Sequence, residues 1–404
     1  MKKQLLLILL FIIIITTKGS AQFVNYNTSN SGLVNNVVQA IAIDLQGTKW
    51  FGTQGEGVSK FDGATWTSYN SSNSGLANNY VLSIAIDSQG NRWFGTESGV
   101  SKFDGTAWTS ITLSSNGIYG DLIYSIAIDL QGNIWAGDTY GVCKFDGTTW
   151  SRFDTSNSGL VSNWVSTITI DSQGNKWFGT EAGVSKFDGT TWITYNISNS
   201  GLTSNSISSI AIDSQGTKWF GTRGEGVSKF DGTSWTNYKN SNSGLTNDYV
   251  LSIATDLQGE KWFGTGGGGI SKFDGTTWTS YKSSNSNIGS NQIHSIALDP
   301  QGNLWVGSDS GVSVLSNPNS IADISKKNNL KIYPNPISNE LNIEILGNTT
   351  DAKFEIANEV GQIVYCGKIH ESTKISTDNF SKGIYFLKLY CEDGIEVRKF
   401  VNRY

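Results

Sequence analysis

The chain has 404 residues, too many for one ordinary domain. Its 29 basic against 34 acidic side chains leave a formal net charge of −5, which offers nucleic acid or an anionic membrane no basic footprint. Three cysteines are too few for a disulfide scaffold, and two histidines leave almost no room for His-based metal centres or Ser-His-Asp triads.

Lys2 and Lys3 precede an unbroken apolar run from Leu5 to Ile15, and small residues then end at Gly19-Ser20-Ala21. This reads as a secretory signal peptide over residues 1–21, cleaved after Ala21. The run is short for a bilayer span, so a retained anchor is the lesser reading. No cysteine stands directly after the cleavage point, and no second apolar run follows in the chain. The mature protein is therefore expected to be exported, without a membrane span, and monomeric.

Residues 22–316 are repeat. Lys49-Trp50-Phe51-Gly52-Thr53 returns around Trp93, Trp135, Trp177, Trp219, Trp262 and Trp305, at steps of 42 or 43 residues. In the fifth unit, Ile207–Ile212, Lys218–Gly221, Gly226–Phe230 and Ser234–Tyr238 read as four short strands. Asp213-Ser214-Gln215-Gly216 and Asp231-Gly232 supply the turns, and the Ser/Asn/Gly-rich run Asn240–Asn247 supplies a connecting loop. A fixed period of about 40–45 residues with four strands is the mark of propeller blades. Strand one alternates bulky and small residues, as Ile41-Ala42-Ile43, which suits blades packed on both faces. The seven framework tryptophans are expected to fill the wedges between blades.

The seventh unit lacks its fourth strand, while Phe23-Val24-Asn25-Tyr26-Asn27 matches Trp66-Thr67-Ser68-Tyr69-Asn70. The chain's start is therefore expected to pair with Gly311–Leu315 and close the ring, leaving no sheet edge open. The predicted fold is all-β: a seven-bladed β-propeller closed by the N-terminal strand, then a small immunoglobulin-like β-sandwich.

The Asp-x-x-Gly-x-x-Trp-x-Gly-Thr…Gly-Val pattern resembles the two-component regulator propeller repeat. That family forms the periplasmic sensing region of hybrid histidine kinases in Bacteroidota, where it binds oligosaccharides. This chain departs from it in having one ring, no following sensor domain, no membrane helix and no kinase. A weaker similarity is to the sialidase Asp-box, in which Gly stands two residues after Asp and not three.

Residues 317–329 read as a polar linker, and composition changes beyond it, with more charge and no framework Trp. Strands are expected near Glu340–Leu346, Lys353–Ala357, Gln362–Lys368, Gly383–Tyr390 and Glu396–Val401. Residues 330–404 resemble the C-terminal sorting domain of the type IX secretion system. The likeness is carried by Tyr333-Pro334-Asn335-Pro336, Gly361-Gln362, Lys382-Gly383-Ile384-Tyr385 and Arg398-Lys399-Phe400-Val401. It implies the secretion machinery and its sortase as partners, and a surface or extracellular destination. An ordinary adhesion sandwich is the alternative. Spacing alone leaves open whether Cys366 and Cys391 pair.

The informative residues are those where the repeat fails to repeat. Just before strand one the equivalent positions read Val37, Tyr80, Leu122, Trp164, Ser206, Tyr249 and Gln292; two residues on they read Gln39, Leu82, Tyr124, Ser166, Ser208, Leu251 and His294. Strand one lines the channel, so both rings are expected at its mouth, beside an acidic rim of Glu56, Glu97, Glu181, Glu225 and Asp309. Aromatic rings next to hydrogen-bonding groups suit a sugar face or a small polar ligand. The candidate contacts are Tyr80, Tyr124, Trp164, Tyr249, Gln292 and His294, with drift at exposed loop positions as the alternative. Arg92, Arg152 and Arg223 fall at three different repeat positions and are not expected to converge on a carboxylate. Three functions stay in play: an exported module binding glycan or protein, a secreted hydrolase or lyase using the acidic rim, and a structural surface protein without a discrete ligand. No metal or cofactor is expected, and nothing in the residues supports calcium.

Overall fold

The computed structural model describes residues 23–114, 120–256, 258–316, 330–337, 339–345, 352–358, 363–391 and 394–402. The signal segment and the linker 317–329 lie outside the described residues.

Among these residues, seven four-stranded antiparallel sheets form the first unit, which ends at Leu315. Six blades run in chain order. In the fifth the strands are Ile207–Ile212, Lys218–Thr222, Val227–Phe230 and Trp235–Tyr238. The seventh contributes Ile293–Leu298, Leu304–Ser308 and Gly311–Leu315 and takes its outer strand, Val24–Tyr26, from the other end of the chain. Val24 pairs with Val314, Asn25 with Ser313 and Tyr26 with Val312. The closing strand is three residues long, shorter than the five expected, yet both flanks are pinned. The Tyr26 ring stacks on Trp305, and Phe23, 2% exposed, meets Tyr281 edge-on at 5.8 Å. Asn287 Nδ2 donates to the Phe23 carbonyl at 3.2 Å, and Asn25 Nδ2 donates to the Asn287 carbonyl at 2.8 Å.

The innermost strands abut around the channel. The Ile41 N–H of blade one donates to Ser295 Oγ of blade seven at 3.1 Å, and Ile168 and Ile296 make the same link to Ser125 and Ser252 at 3.0 Å. Glycine in the Trp-x-Gly run is dictated by this approach. A Cβ on Gly52 would lie 2.7 Å from Val81 Cγ1 of the next blade, and one on Gly307 would lie 2.9 Å from Val38 Cγ1 across the closure. The seam between the last blade and the first is thus built like the seam between the first and second.

The framework tryptophans do more than fill wedges. The indole N–H of Trp93, Trp135, Trp177, Trp219, Trp262 and Trp305 donates to the turn carboxylate of Asp87, Asp129, Asp171, Asp213, Asp256 and Asp299 at 2.9–3.1 Å. The other oxygen of that carboxylate caps its own turn, as Asp213 does for the Gln215 and Thr217 N–H groups. A cation from the following blade completes the joint. Lys261 reaches Asp213 at 3.4 Å and sits over Trp219, 5.3 Å from the ring centroid. Burial raises the Asp213 carboxyl, but the hydrogen bonds from Trp219 and the turn outweigh it and hold the group below its ordinary range. At the first joint the cation is Arg92, which takes Asp44 Oδ2 at 2.8 Å and leaves the buried Trp50 indole N–H without a partner among the described residues.

The second unit holds a three-stranded sheet, Leu330–Tyr333, Glu340–Ile345 and Ser372–Ser376, and a four-stranded sheet. The latter has the order Ile363–Ile369, Ala352–Asn358, Gly383–Cys391, Gly394–Asn402. Leu341 and Ile343 from one sheet and Phe354, Ile356, Leu387 and Phe400 from the other form a common core. Ser372–Ser376 escaped the sequence reading because only Ile375 of its five residues is apolar and buried. Cys366 and Cys391 lie on strands separated by Ala352–Asn358. Two strand spacings of about 4.8 Å put their backbones beyond disulfide reach, and Cys366 is a free thiol.

Candidate functional site

The mouth of the channel owes its side chains to a repeated irregularity. In six blades strand one slips register against strand two, between Val38 and Ala40, Val81 and Ser83, Val165 and Thr167, Ile207 and Ser209, Val250 and Ser252, and Ile293 and Ser295. The skipped residues are Gln39, Leu82, Ser166, Ser208, Leu251 and His294, which form the second variable ring. A β-bulge leaves its extra residue out of the ladder and re-aims the side chain. In blade three the regular strand starts only at Ser125, leaving Tyr124 just outside it. Periodicity could not show the bulge, because it exists only in the pairing of two strands.

The first variable ring sits against the preceding blade. Tyr80 bridges to Gln54 and packs on Gly55, Tyr249 bridges to Arg223 and packs on Gly266 of its own blade, and Gln292 bridges to Gly266. Tyr124 and Trp164 lie face to face, with centroids 5.9 Å apart and planes 16° apart. Burial pushes the Tyr124 phenol up, and Arg223, Glu181 and Glu97 all act on it electrostatically. These four side chains therefore share one sector, spanning blades two to five. In blade seven His294 Nε2 lies 2.6 Å from Asp309 Oδ1. The serines of the ring spend their hydroxyls on carbonyls, Ser166 on Gly179 and Ser208 on Gly221. Trp164 stands apart from the other thirteen tryptophans of the chain, all of which occupy two fixed repeat positions. It is 36% exposed, whereas Trp219 is 1% exposed.

The acids do not make a uniform rim. Glu225 ion-pairs with Lys239, which follows the outermost strand, and so turns away from the channel. Glu181 stands 3.8 Å from Arg223, and Asp309 is engaged with His294. Glu56 and Glu97 are exposed and form no ion pair among the described residues. The three arginines stay apart: Arg92 joins blades one and two, Arg152 is partly buried in blade three, and only Arg223 reaches the mouth.

Blade three also holds a feature the repeat pattern hid. Asp138 replaces the framework Thr whose hydroxyl elsewhere donates to a glycine carbonyl, as Thr53 does to Gly57 at 2.8 Å. It is fully buried and bidentate to Arg152, at 2.7 and 3.1 Å. Burial raises its carboxyl despite that partner. Burial also pushes the adjacent Cys143 thiol up to about 12, which makes it a packed, unreactive group. Among the described residues no group of three His, Cys, Asp or Glu side chains is placed to hold a metal.

In the second unit the sorting-motif residues converge on the final strand. Asn335 Oδ1 accepts from the Val401 N–H at 3.0 Å, the Ile337 N–H donates to the Val401 carbonyl at 2.8 Å, and Tyr385 stacks on Phe400 with its hydroxyl donating to Ser381 O. Tyr385 is core, while Tyr333 and Lys382 are exposed. Pro334 and Pro336 follow cis peptide bonds, Gly383 opens its strand, and Lys399 lies opposite Phe386 in the sheet.

Seven four-stranded sheets followed by a small two-sheet β domain define the class: a β-propeller with a C-terminal β-sandwich. Two family profiles make this particular. The two component regulator propeller matches residues 75–98, 201–224 and 287–310, and the secretion system C-terminal sorting domain matches residues 331–403. The chain thus carries propeller repeats of the two component regulator type and a type IX sorting domain, the latter indicating the cell surface or the outside as its destination. Among curated proteins none matches. The extracellular domain assigned to the hybrid two component system BT3049 of B. thetaiotaomicron is 25% identical, with a TM-score of 0.65 over 95% of this chain and 57% of its own. PorZ of Porphyromonas gingivalis, described as an essential surface component of the type-IX secretion system, is 18% identical with a TM-score of 0.61, over 94% and 61%. A streptogramin B lyase is 18% identical with a TM-score of 0.60, over 72% of this chain and 96% of its own. The chain spans about three fifths of the length of the first two.

Proposed function

We propose that the protein is a surface-displayed or released binding module whose propeller takes a carbohydrate at the channel mouth. The observation that carries this reading is the Tyr124–Trp164 pair: the one tryptophan outside the repeat framework is half-exposed and stacked where six bulges deliver variable side chains. An aromatic face with hydrogen-bonding groups around it matches the alternating apolar and hydroxyl surface of a sugar ring. Tyr80, Tyr249, Gln292 and His294 extend the same surface, and a protein loop is the other ligand it suits. The kinship with extracellular sensor propellers supports the reading, and the sorting domain supplies the route outward, through the type IX machinery and its sortase. Glycan-array screening of the mature protein tests it. Binding that disappears in Tyr80→Ala, Trp164→Ala, Tyr249→Ala or His294→Ala protein is the expected result, and variants that bind as the parent does would sink the proposal.

One observation favours a second reading, a glycan-active hydrolase or lyase. His294 and Asp309 form a close acid–base pair at the mouth, in the geometry that orients an imidazole for proton transfer. Turnover of any array hit, lost in His294→Gln protein, would move the assignment to that class.

A further inference from the structure

The three arginines of the propeller are used in two ways. Arg92 is hydrogen-bonded to Asp44 beneath the Trp50 wedge, and Arg152 is bidentate to buried Asp138. Both are committed to the framework. Arg223 stands at a repeat position occupied elsewhere by Gln54, Glu97, Glu181 and Asp309. Its side chain is 36% exposed, and its nearest acid, Glu181, is 3.8 Å away, too far for a hydrogen bond. Among the described residues its guanidinium makes no hydrogen bond, so its five donors remain open. The backbone of Arg223 is bridged to Tyr249, which fixes the base of the side chain, and its charge acts on the Tyr124 phenol, itself stacked on Trp164. The Tyr124 hydroxyl also has no hydrogen-bond partner among the described residues. A planar fork of open donors beside an exposed aromatic face is a two-part recognition surface.

We propose that this sector of the mouth recognises a carboxylated sugar, a uronic acid within a glycan, with Arg223 taking the carboxylate and the Tyr124–Trp164 pair taking the ring. The proposal rests on the carbohydrate reading above and narrows it. Glu181 sets the selectivity: as a loosely held counter-charge it keeps Arg223 extended when the site is empty, and a ligand carboxylate displaces it by offering two hydrogen bonds where Glu181 offers none. The neighbouring Glu97 is negative as well, so an anion without the bidentate geometry gains little here. A sulfate ester presents similar oxygens without the planar match to the guanidinium.

The test is calorimetric titration of the full mature protein with oligouronates, their methyl esters and a sulfated neutral oligosaccharide. The expected result is that methyl esterification weakens binding by at least about tenfold. Arg223→Gln should lower the acid to the level of the ester while leaving the melting temperature unchanged. Equal binding of acid and ester, a preference for the sulfated probe, or an Arg223→Gln protein that keeps its preference would overturn the proposal. Neutral-glycan binding abolished by Trp164→Ala, with no response to uronate, would sink this inference alone and leave the broader reading standing.

Discussion

The two ends of the channel are made by the same seven repeats and behave in opposite ways. At the end formed by the turns between strands one and two, the joint recurs: an aspartate caps its turn, in six blades accepts the indole N–H and, at four joints, meets a cation from the next blade. At the other end, six blades bulge and the side chains presented vary from blade to blade, Gln39, Leu82 and His294 among them. The difference teaches how a repeat protein acquires a site. One end of each blade carries the mechanical joint, which tolerates little, and the bulge at the other end releases one side chain per blade from any pairing duty.

That comparison breaks first at the closure. Removing residues 22–27 from the mature protein leaves Trp305 uncovered and Gly311–Leu315 as an open edge. We expect a loss of more than about 5 kcal/mol, read as a collapsed or multi-step thermal transition, since Phe23 alone is a core aromatic. An unchanged melt would show that the ring does not depend on its own beginning.

Blade three sharpens it next, because there a buried ion pair stands in the framework. Asp138→Ala should cost about 3–5 kcal/mol by stranding Arg152 in the interior. The double variant Asp138→Thr with Arg152→Thr, which restores the sister pattern, should recover most of that loss in chemical denaturation. A double variant as unstable as the single would mean the pair does more than fill its place.

The smallest effect is spread around the ring. In the hairpin turns Asp62, Asp104, Asp188 and Asp231 are held down to about 2 by hydroxyl and backbone N–H hydrogen bonds, with Asp146 and Asp274 lower still. A carboxyl lower in the folded state than its ordinary 3.8 stabilises fully above that value and loses its contribution as pH falls through the folded value. The melting temperature should therefore be flat from pH 7 to about 5 and fall between about 4 and 2. Asp62→Asn should make that fall shallower, and a melt that begins to drop near pH 6 would point to other groups.

Much of the fold was legible in the sequence because its determinants are local. Asp-Gly turns, the Trp-x-Gly run and the missing fourth strand of the seventh unit each show within one repeat, and they place the blades and their closure. The candidate surface was only half legible. Substitution at Tyr80, Trp164 and Tyr249 marks the positions, but the bulge at His294 depends on pairing with Leu304–Ser308, and the Arg223–Glu181 contact joins two blades. Likewise Glu225 looked like part of a rim until its pairing with Lys239 turned it outward. Asp138 gave no signal, since nothing near it in sequence announces Arg152 fourteen residues on.

The most direct measurement is a matched pair of tryptophan variants, each melted and screened on the same glycan array. Trp219→Ala should lose about 3–5 kcal/mol of stability. Trp164→Ala should melt within about 2 °C of the parent, as an exposed residue does, and lose its glycan binding. A Trp164→Ala protein that unfolds early, or that binds as the parent does, would contradict the division between joint and mouth.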